Sequence, residues 1–232
     1  MIIQILSNFC DEGYLEKERY NFTSPFFAGA NVAFRRGVFE QLGLYDERCA
    51  TGEDHDICLR AAGAGWDLYF QPKALVRHNN KGKLRRFIRR WFYYGFKHPY
   101  VYKKHTPKAL QVYLVNRGAG QGYLYSCVLN IKKSPLHLVI FITPFLTMHI
   151  FLILTIVTAL LGLNITTWMF GSVTVLAGLA YLKSDVDLKH PLQSIVFAGL
   201  RYTANMALLV GGLLGSLRLG MLYISGTLDY KG

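Results

Sequence analysis

Between residues 26 and 78 the apolar positions fall in short runs of changing period. Phe26-Phe27-Ala28-Gly29-Ala30-Asn31-Val32-Ala33-Phe34 reads as a strand reached through a glycine bend. Gly37–Leu42 reads as a short helix that Gly43 stops. In Gly52-Glu53-Asp54-His55-Asp56-Ile57-Cys58-Leu59-Arg60 and the two residues after it, Ile57, Cys58, Ala61 and Ala62 recur at helical spacing. This predicts a helix running to about Ala62 and ending at Gly63-Ala64-Gly65. Trp66–Phe70 alternates as a strand, Pro72 breaks it, and Ala74–His78 makes a second short strand. Strand, helix, helix, strand, strand is the texture of part of an α/β layer.

The period then changes. Leu84, Phe87, Ile88, Trp91 and Phe92 share one helical face, with Arg85, Arg86, Arg89 and Arg90 opposite. Such a basic amphipathic helix suits a membrane interface, where each Lys or Arg near an anionic surface adds about 1 kcal/mol. Arginine among aromatics also suits nucleic acid, and a solvated helix packed on the α/β part is the plainest reading. The uncharged runs that follow, Leu136–Leu163 and Ile165–Leu182, favour the membrane surface over nucleic acid. A third apolar run, Leu192–Leu217, carries Arg201, Asn205 and the spacing Gly211-x-x-x-Gly215, so it either spans or packs re-entrantly against the first two. The organisation expected is an α/β part over residues 1–80, a basic interfacial region over 81–135 and a membrane region over 136–232. Its spans are 136–163, 165–182 and, as an open alternative, 192–217.

Charge sharpens this division. Residues 1–80 hold 11 acids and 8 bases, whereas 81–133 hold 13 bases and no acid. That asymmetry before the first span predicts a multi-pass cell-membrane protein with its α/β part on the cytoplasmic side. The first residues lack a basic flank and a small-residue cleavage site, so no signal peptide is expected. Cys10, Cys49, Cys58 and Cys127 form no CxxC pair, which argues against a disulfide framework or a cysteine zinc site.

Glu53, Asp54 and Asp56 open a helix, where acids are favoured simply by the partial positive charge of the helix start. Their company adds a second meaning. Phe27-Ala28-Gly29-Ala30-Asn31-Val32-Ala33-Phe34-Arg35-Arg36, then Leu42-Gly43-Leu44-Tyr45-Asp46-Glu47, then Gly52 to Arg60, then Pro72 and His78, resemble in order and spacing the second half of family 2 glycosyltransferases. The basic helix and apolar C-terminal part look like the membrane-attached members that build exopolysaccharides, succinoglycan-type enzymes among them, or lipid-linked glycans.

The resemblance implies a partial GT-A-type α/β domain and an inverting transfer from a nucleotide-sugar donor to a polyprenyl-linked or glycan acceptor, with membrane lipid as a further partner. On the matching positions it makes Asp54 the general base, a carboxylate that takes the acceptor hydroxyl's proton as its oxygen attacks the anomeric carbon. A helix N-terminus is expected to keep that carboxylate ionised. Glu53 and Asp56 would orient the acceptor or hold the loop, with Asp56 the more structural of the two, and Gly29, Ala30 and Asn31 would line the acceptor side. His78 would help hold a divalent metal, Mn²⁺ or Mg²⁺, and Arg35 and Arg36 could meet phosphate. The family's nucleotide-binding half, with its Asp-x-Asp metal motif, has no counterpart before Phe26, and Asp54-His55-Asp56 and Asp185-Val186-Asp187 do not replace it. The expectation is a chain inactive alone, truncated or completed by a separate nucleotide-binding chain. The alternative is a non-enzymatic anchor or scaffold carrying a transferase remnant.

Overall fold

The computed structural model describes residues 29–68, 83–106, 108–117, 123–183 and 189–226. Residues 1–28 and 69–82 lie outside that set, and with them the first part of the strand expected over 26–34, the second strand at 74–78, and His78. Gly29–Asn31 is a 3-10 turn and the residues after it are irregular, so the described part of that first run is not a strand. Helix α1 is Arg36–Leu42, ended by Gly43 at φ 78°, a left-handed value that favours glycine. Helix α2, Glu53–Gly63, begins at the acids as the periodicity predicts. Its inward face, with Ile57 and Ala61, packs with Val38 of α1 and is flanked by Phe34, Phe39, Leu42 and Trp66.

The basic amphipathic segment becomes a long helix, α3, Leu84–His105, which continues through Pro99. Its apolar face is covered: Phe87 and Trp91 are buried with Leu200, Ala204, Ala207 and Leu208 of helix α6, Pro191–Leu217. Three glycines permit this approach. A Cβ on Gly95 would collide with the Leu208 carbonyl, one on Gly211 with that of Phe92, and one on Gly215 with that of Phe96. The Gly211-x-x-x-Gly215 spacing therefore serves helix contact, and the helix it meets is α3 rather than the apolar hairpin.

Between α3 and the apolar helices lies a sheet that the periodicity did not reveal. Strands β1, Ala109–Arg117, and β2, Tyr123–Lys132, form an antiparallel hairpin, with a register shift between Val112 and Tyr113. Strand β3, Leu138–Ile142, runs parallel to β1, and β4, Leu222–Ile224, runs parallel to β3, giving the order β2-β1-β3-β4. Val139, Phe141, Met221 and Tyr223 form the core beneath it, flanked by Tyr102 of α3 and Tyr113 of β1.

The expected span 136–163 is thereby corrected. Its first residues pair as β3, and Pro144 opens helix α4, Pro144–Leu160, at a position where proline's missing N–H is not needed. Thr143 caps this helix through its Oγ1, which accepts the Leu146 N–H at 3.1 Å. Gly162, at φ 70°, turns the chain into α5, Asn164–Leu182. Helices α5 and α6 are long and apolar enough to cross a membrane by length and composition, whereas α4, at 17 residues, is shorter. The fold is thus a mixed α/β arrangement with a helical C-terminal region.

Candidate functional site

Asp54 stands in the first turn of α2, and its two carboxylate oxygens have different duties. Oδ1 accepts the N–H of His55 at 2.8 Å, a capping contact within its own helix. Oδ2 accepts the N–H of Gly29 at 2.8 Å, tying the helix start to the 3-10 turn. A Cβ at Gly29 would lie 3.5 Å from both the Cβ and Oδ2 of Asp54, an ordinary van der Waals contact, so this approach does not itself demand glycine. An ionised carboxylate has about four acceptor directions, so these two amides leave capacity for a hydroxyl.

Burial is the largest influence on the Asp54 carboxyl and raises it above the ordinary carboxylate value; the Gly29 and His55 amides pull it down, and Glu53 pushes it up. The helix start therefore does not dominate, because the desolvation of the charged form outweighs its donors. Oε2 of Glu53 is enclosed with no hydrogen-bond partner among the described residues. Just before these acids, Thr51 takes φ 71°, a strained value for a β-branched residue. Next to it Gly52 packs so closely on Val101 of α3 that a Cβ would stand 2.7 Å from its methyl.

Asp56 does something else. It is fully buried, and its Oδ2 accepts from Nε of Arg60 at 2.9 Å. Its Oδ1 faces Nζ of Lys104 at 2.6 Å and Nε2 of His105 at 2.7 Å, both in the last turn of α3. Burial would raise this carboxyl, but Lys104, His105 and Arg60 hold it below the usual range. Arg60 also donates to the carbonyls of Leu42, at 2.7 Å, and Leu44, at 2.9 Å, closing the end of α1. Lys104 reaches Asp46 at 2.9 Å as well, and Asp46 is held low by Arg48 and Lys104. Asp56 is thus the joint between α1, α2 and α3.

Beside the joint, burial and the neighbouring His98 and His105 push the His55 imidazole down to about 3, and burial takes His98 to about 4. Both are neutral at physiological pH. Cys49 and Cys58 are buried, and burial foremost pushes the Cys49 thiol up to about 11, away from nucleophile chemistry.

Of the residues singled out in the sequence, the structure brings together Gly29, Glu53, Asp54 and Asp56. Ala30 and Asn31 are exposed on the same turn as Gly29. Arg36 pairs with Glu40 at 2.7 Å on the exposed side of α1, and Arg35 precedes that helix. Among the described residues no group of three or more His, Cys, Asp or Glu could hold a metal ion, so these residues do not by themselves fit a divalent cation. Asp46 stands in the Leu42–Glu47 match without a role of its own, and Lys104 and His105 were missed; their signal is the run Lys103-Lys104-His105 at the end of a tyrosine-rich stretch.

With this geometry in view, comparison with known proteins is decisive at the level of family. The sequence model of glycosyl transferase family group 2 matches residues 15–182. The chain belongs to this family. A pre-mycofactocin glycosyltransferase of Mycobacterium tuberculosis is 31% identical over 119 residues, covering 47% of this chain and 25% of the relative. An O-antigen chain rhamnosyltransferase of Salmonella anatum is 33% identical over 73 residues, covering 32% of this chain and 23% of the relative. The chain thus spans about a quarter of the length of the curated relatives it matches. No solved structure matches it. The family match runs through the acid-bearing helix α2, the sheet strands β1 to β3 and the apolar hairpin α4–α5, so it treats them as parts of one transferase type.

Proposed function

We propose that this chain forms the acceptor side and the membrane attachment of an inverting, family 2 glycosyltransferase, with Asp54 as its general base. The observation that carries the reading is the Asp54 carboxylate, fixed by the amides of Gly29 and His55 and raised by burial, in a chain of this family. In the proposed step the carboxylate takes the proton of an acceptor hydroxyl while that oxygen bonds to the anomeric carbon of a nucleotide-sugar. The bond from that carbon to the diphosphate breaks, and its electron pair leaves with the nucleoside diphosphate. A carboxyl raised above its ordinary value by burial is, in its ionised form, the stronger base for this transfer.

The described residues hold the base but no carboxylate pair of the kind that would carry a metal against the donor diphosphate. Transfer accordingly needs a nucleotide-binding unit, in the same polypeptide or in another. The similarity to an O-antigen chain rhamnosyltransferase favours a glycan acceptor. Membrane attachment is supported by the outward apolar side chains of α4 and α5. Ile153, Leu160, Ile165, Trp168, Met169, Leu176 and Leu179 are each more than 60% exposed. So much contiguous apolar surface matches lipid better than water. The excess of basic residues on α3, ahead of the apolar helices, supports a reading with the α/β part at the cytoplasmic surface.

The test is transfer of label from a panel of radiolabelled nucleotide-sugars into lipid-extractable or polymeric material, using membranes that contain the chain together with a nucleotide-binding unit. Label incorporated only when both are present supports the proposal. No incorporation from any donor supports the scaffold alternative.

A further inference from the structure

A cleft lined by residues that the proposed transfer does not use as base or acceptor contacts lies where the end of α3 meets the first residues of β1 and β3 and the loop from α6 to β4. It has a volume of about 620 Å³ and is lined by Lys103, Lys104, His105, Thr106, Lys108, His137, Leu219 and Gly220. Five of these side chains are cationic or can become so. Helix-terminus electrostatics account for only part of them. Lys103, Lys104 and His105 sit in the last turn of α3, where cations are favoured anyway. Lys108 lies just before β1 and His137 just before β3, and no helix end calls for them.

The charges are unevenly satisfied. Lys104 and His105 are held by Asp46 and Asp56. Lys103 donates to the carbonyl of Leu219, at 2.6 Å, and has no ion pair among the described residues. Lys108 has no ion pair among the described residues, and residues 81–133 contain no acid to supply one locally. His137 is only 7% exposed, and its Nε2 makes no hydrogen bond among the described residues. A buried polar atom without a partner is costly unless something fills that role. Burial, with Lys103 and Lys108 nearby, lowers the His137 imidazole, so the positive field of the two lysines is felt inside the cleft.

We infer that this cleft binds a phosphate-bearing anion, held by Lys103 and Lys108 with His137 as the inner hydrogen-bonding group. The volume exceeds the need of one phosphate and suits a diphosphate with part of its substituent. The same chemistry is offered by a soluble phosphate compound and by a phospholipid or polyprenyl headgroup. The site does not depend on Asp54 acting as a base.

The experiment titrates pyrophosphate into the detergent-solubilised full chain by calorimetry. In parallel, the His137 imidazole resonances are followed in nanodiscs of phosphatidylcholine with and without phosphatidic acid. Wild type should bind at least one of these probes. Lys108→Glu, at an exposed residue without an ion pair among the described residues, and His137→Asn should each weaken that binding about tenfold or more, and Lys108→Glu should do so with its melting curve unchanged. Lys103→Arg should retain it, and Asp54→Asn should leave it untouched, which separates this inference from the base assignment. Response to pyrophosphate alone assigns the site to a soluble ligand, and response to phosphatidic acid alone assigns it to a headgroup. Failure of wild type to respond to either, or equal binding by Lys108→Glu and His137→Asn, overturns the inference.

Discussion

Oδ1 of Asp56 lies 2.7 Å from Nε2 of His105, joining the first turn of the acidic helix to the last turn of a helix 49 residues further on. The same oxygen takes Lys104, so one buried carboxylate holds a lysine and a histidine side chain against the part of the chain that carries Asp54. Asp54 is therefore positioned by a neighbour two residues away whose own partners, Arg60, Lys104 and His105, are structural.

Asp56→Ala removes the centre of this joint and leaves Arg60, Lys104 and His105 facing a buried gap. Breaking a buried ion pair from one side costs about 3–5 kcal/mol, and a denaturant or thermal melt in detergent should show a loss of that size. Arg36→Ala, which removes an exposed pair with Glu40, should change stability by less than about 0.5 kcal/mol.

The two acids of the helix start should respond to pH in opposite senses. Asp56 is held low in the folded state, so its stabilisation is complete above the ordinary carboxylate value of about 4 and is lost as pH falls below that. Asp54 is raised, so its ionisation costs stability, and the cost grows as pH rises through its folded value. Melts of Asp54→Asn and wild type should coincide in acid and diverge towards neutrality, with the variant the more stable.

Glycines in one helix should behave differently according to what a methyl would meet. On Gly211 of α6 it meets the Phe92 backbone, whereas on Gly199 of the same helix it meets nothing within 4 Å. Gly211→Ala should lose about 1–3 kcal/mol by forcing α3 and α6 apart. Gly199→Ala should gain about 0.5–1 kcal/mol from helix propensity. Thermal melts of the two variants side by side check the contact.

Helices α1, α2, α5 and α6 were legible in the sequence because each declares itself locally. Gly43 and Gly63-Ala64-Gly65 mark two ends, Pro191 marks a start, and α5 is an uncharged run of helical length. The sheet was not legible, because its pairing is remote. β3 takes Leu222–Ile224 as its neighbour, and the whole of α4, α5 and α6 lies between them. Leu138–Ile142 was hidden inside a longer apolar run, since a strand buried among others and a spanning helix are both continuously apolar. At the site, the acids and Gly29 could be singled out by residue type and order. The division of labour between Asp54 and Asp56 depends on which of them Lys104 and His105 reach, and that is fixed by the length and direction of α3.

Asp54 as base is tested most directly by the rate of sugar transfer in membranes that hold the chain with a nucleotide-binding unit, comparing wild type, Asp54→Asn and Glu53→Gln. Losing a general base costs about 10²- to 10⁴-fold in rate. Asp54→Asn should fall by that much with nucleotide-sugar binding nearly unchanged, and Glu53→Gln should fall less. Equal turnover by Asp54→Asn and wild type would contradict the assignment.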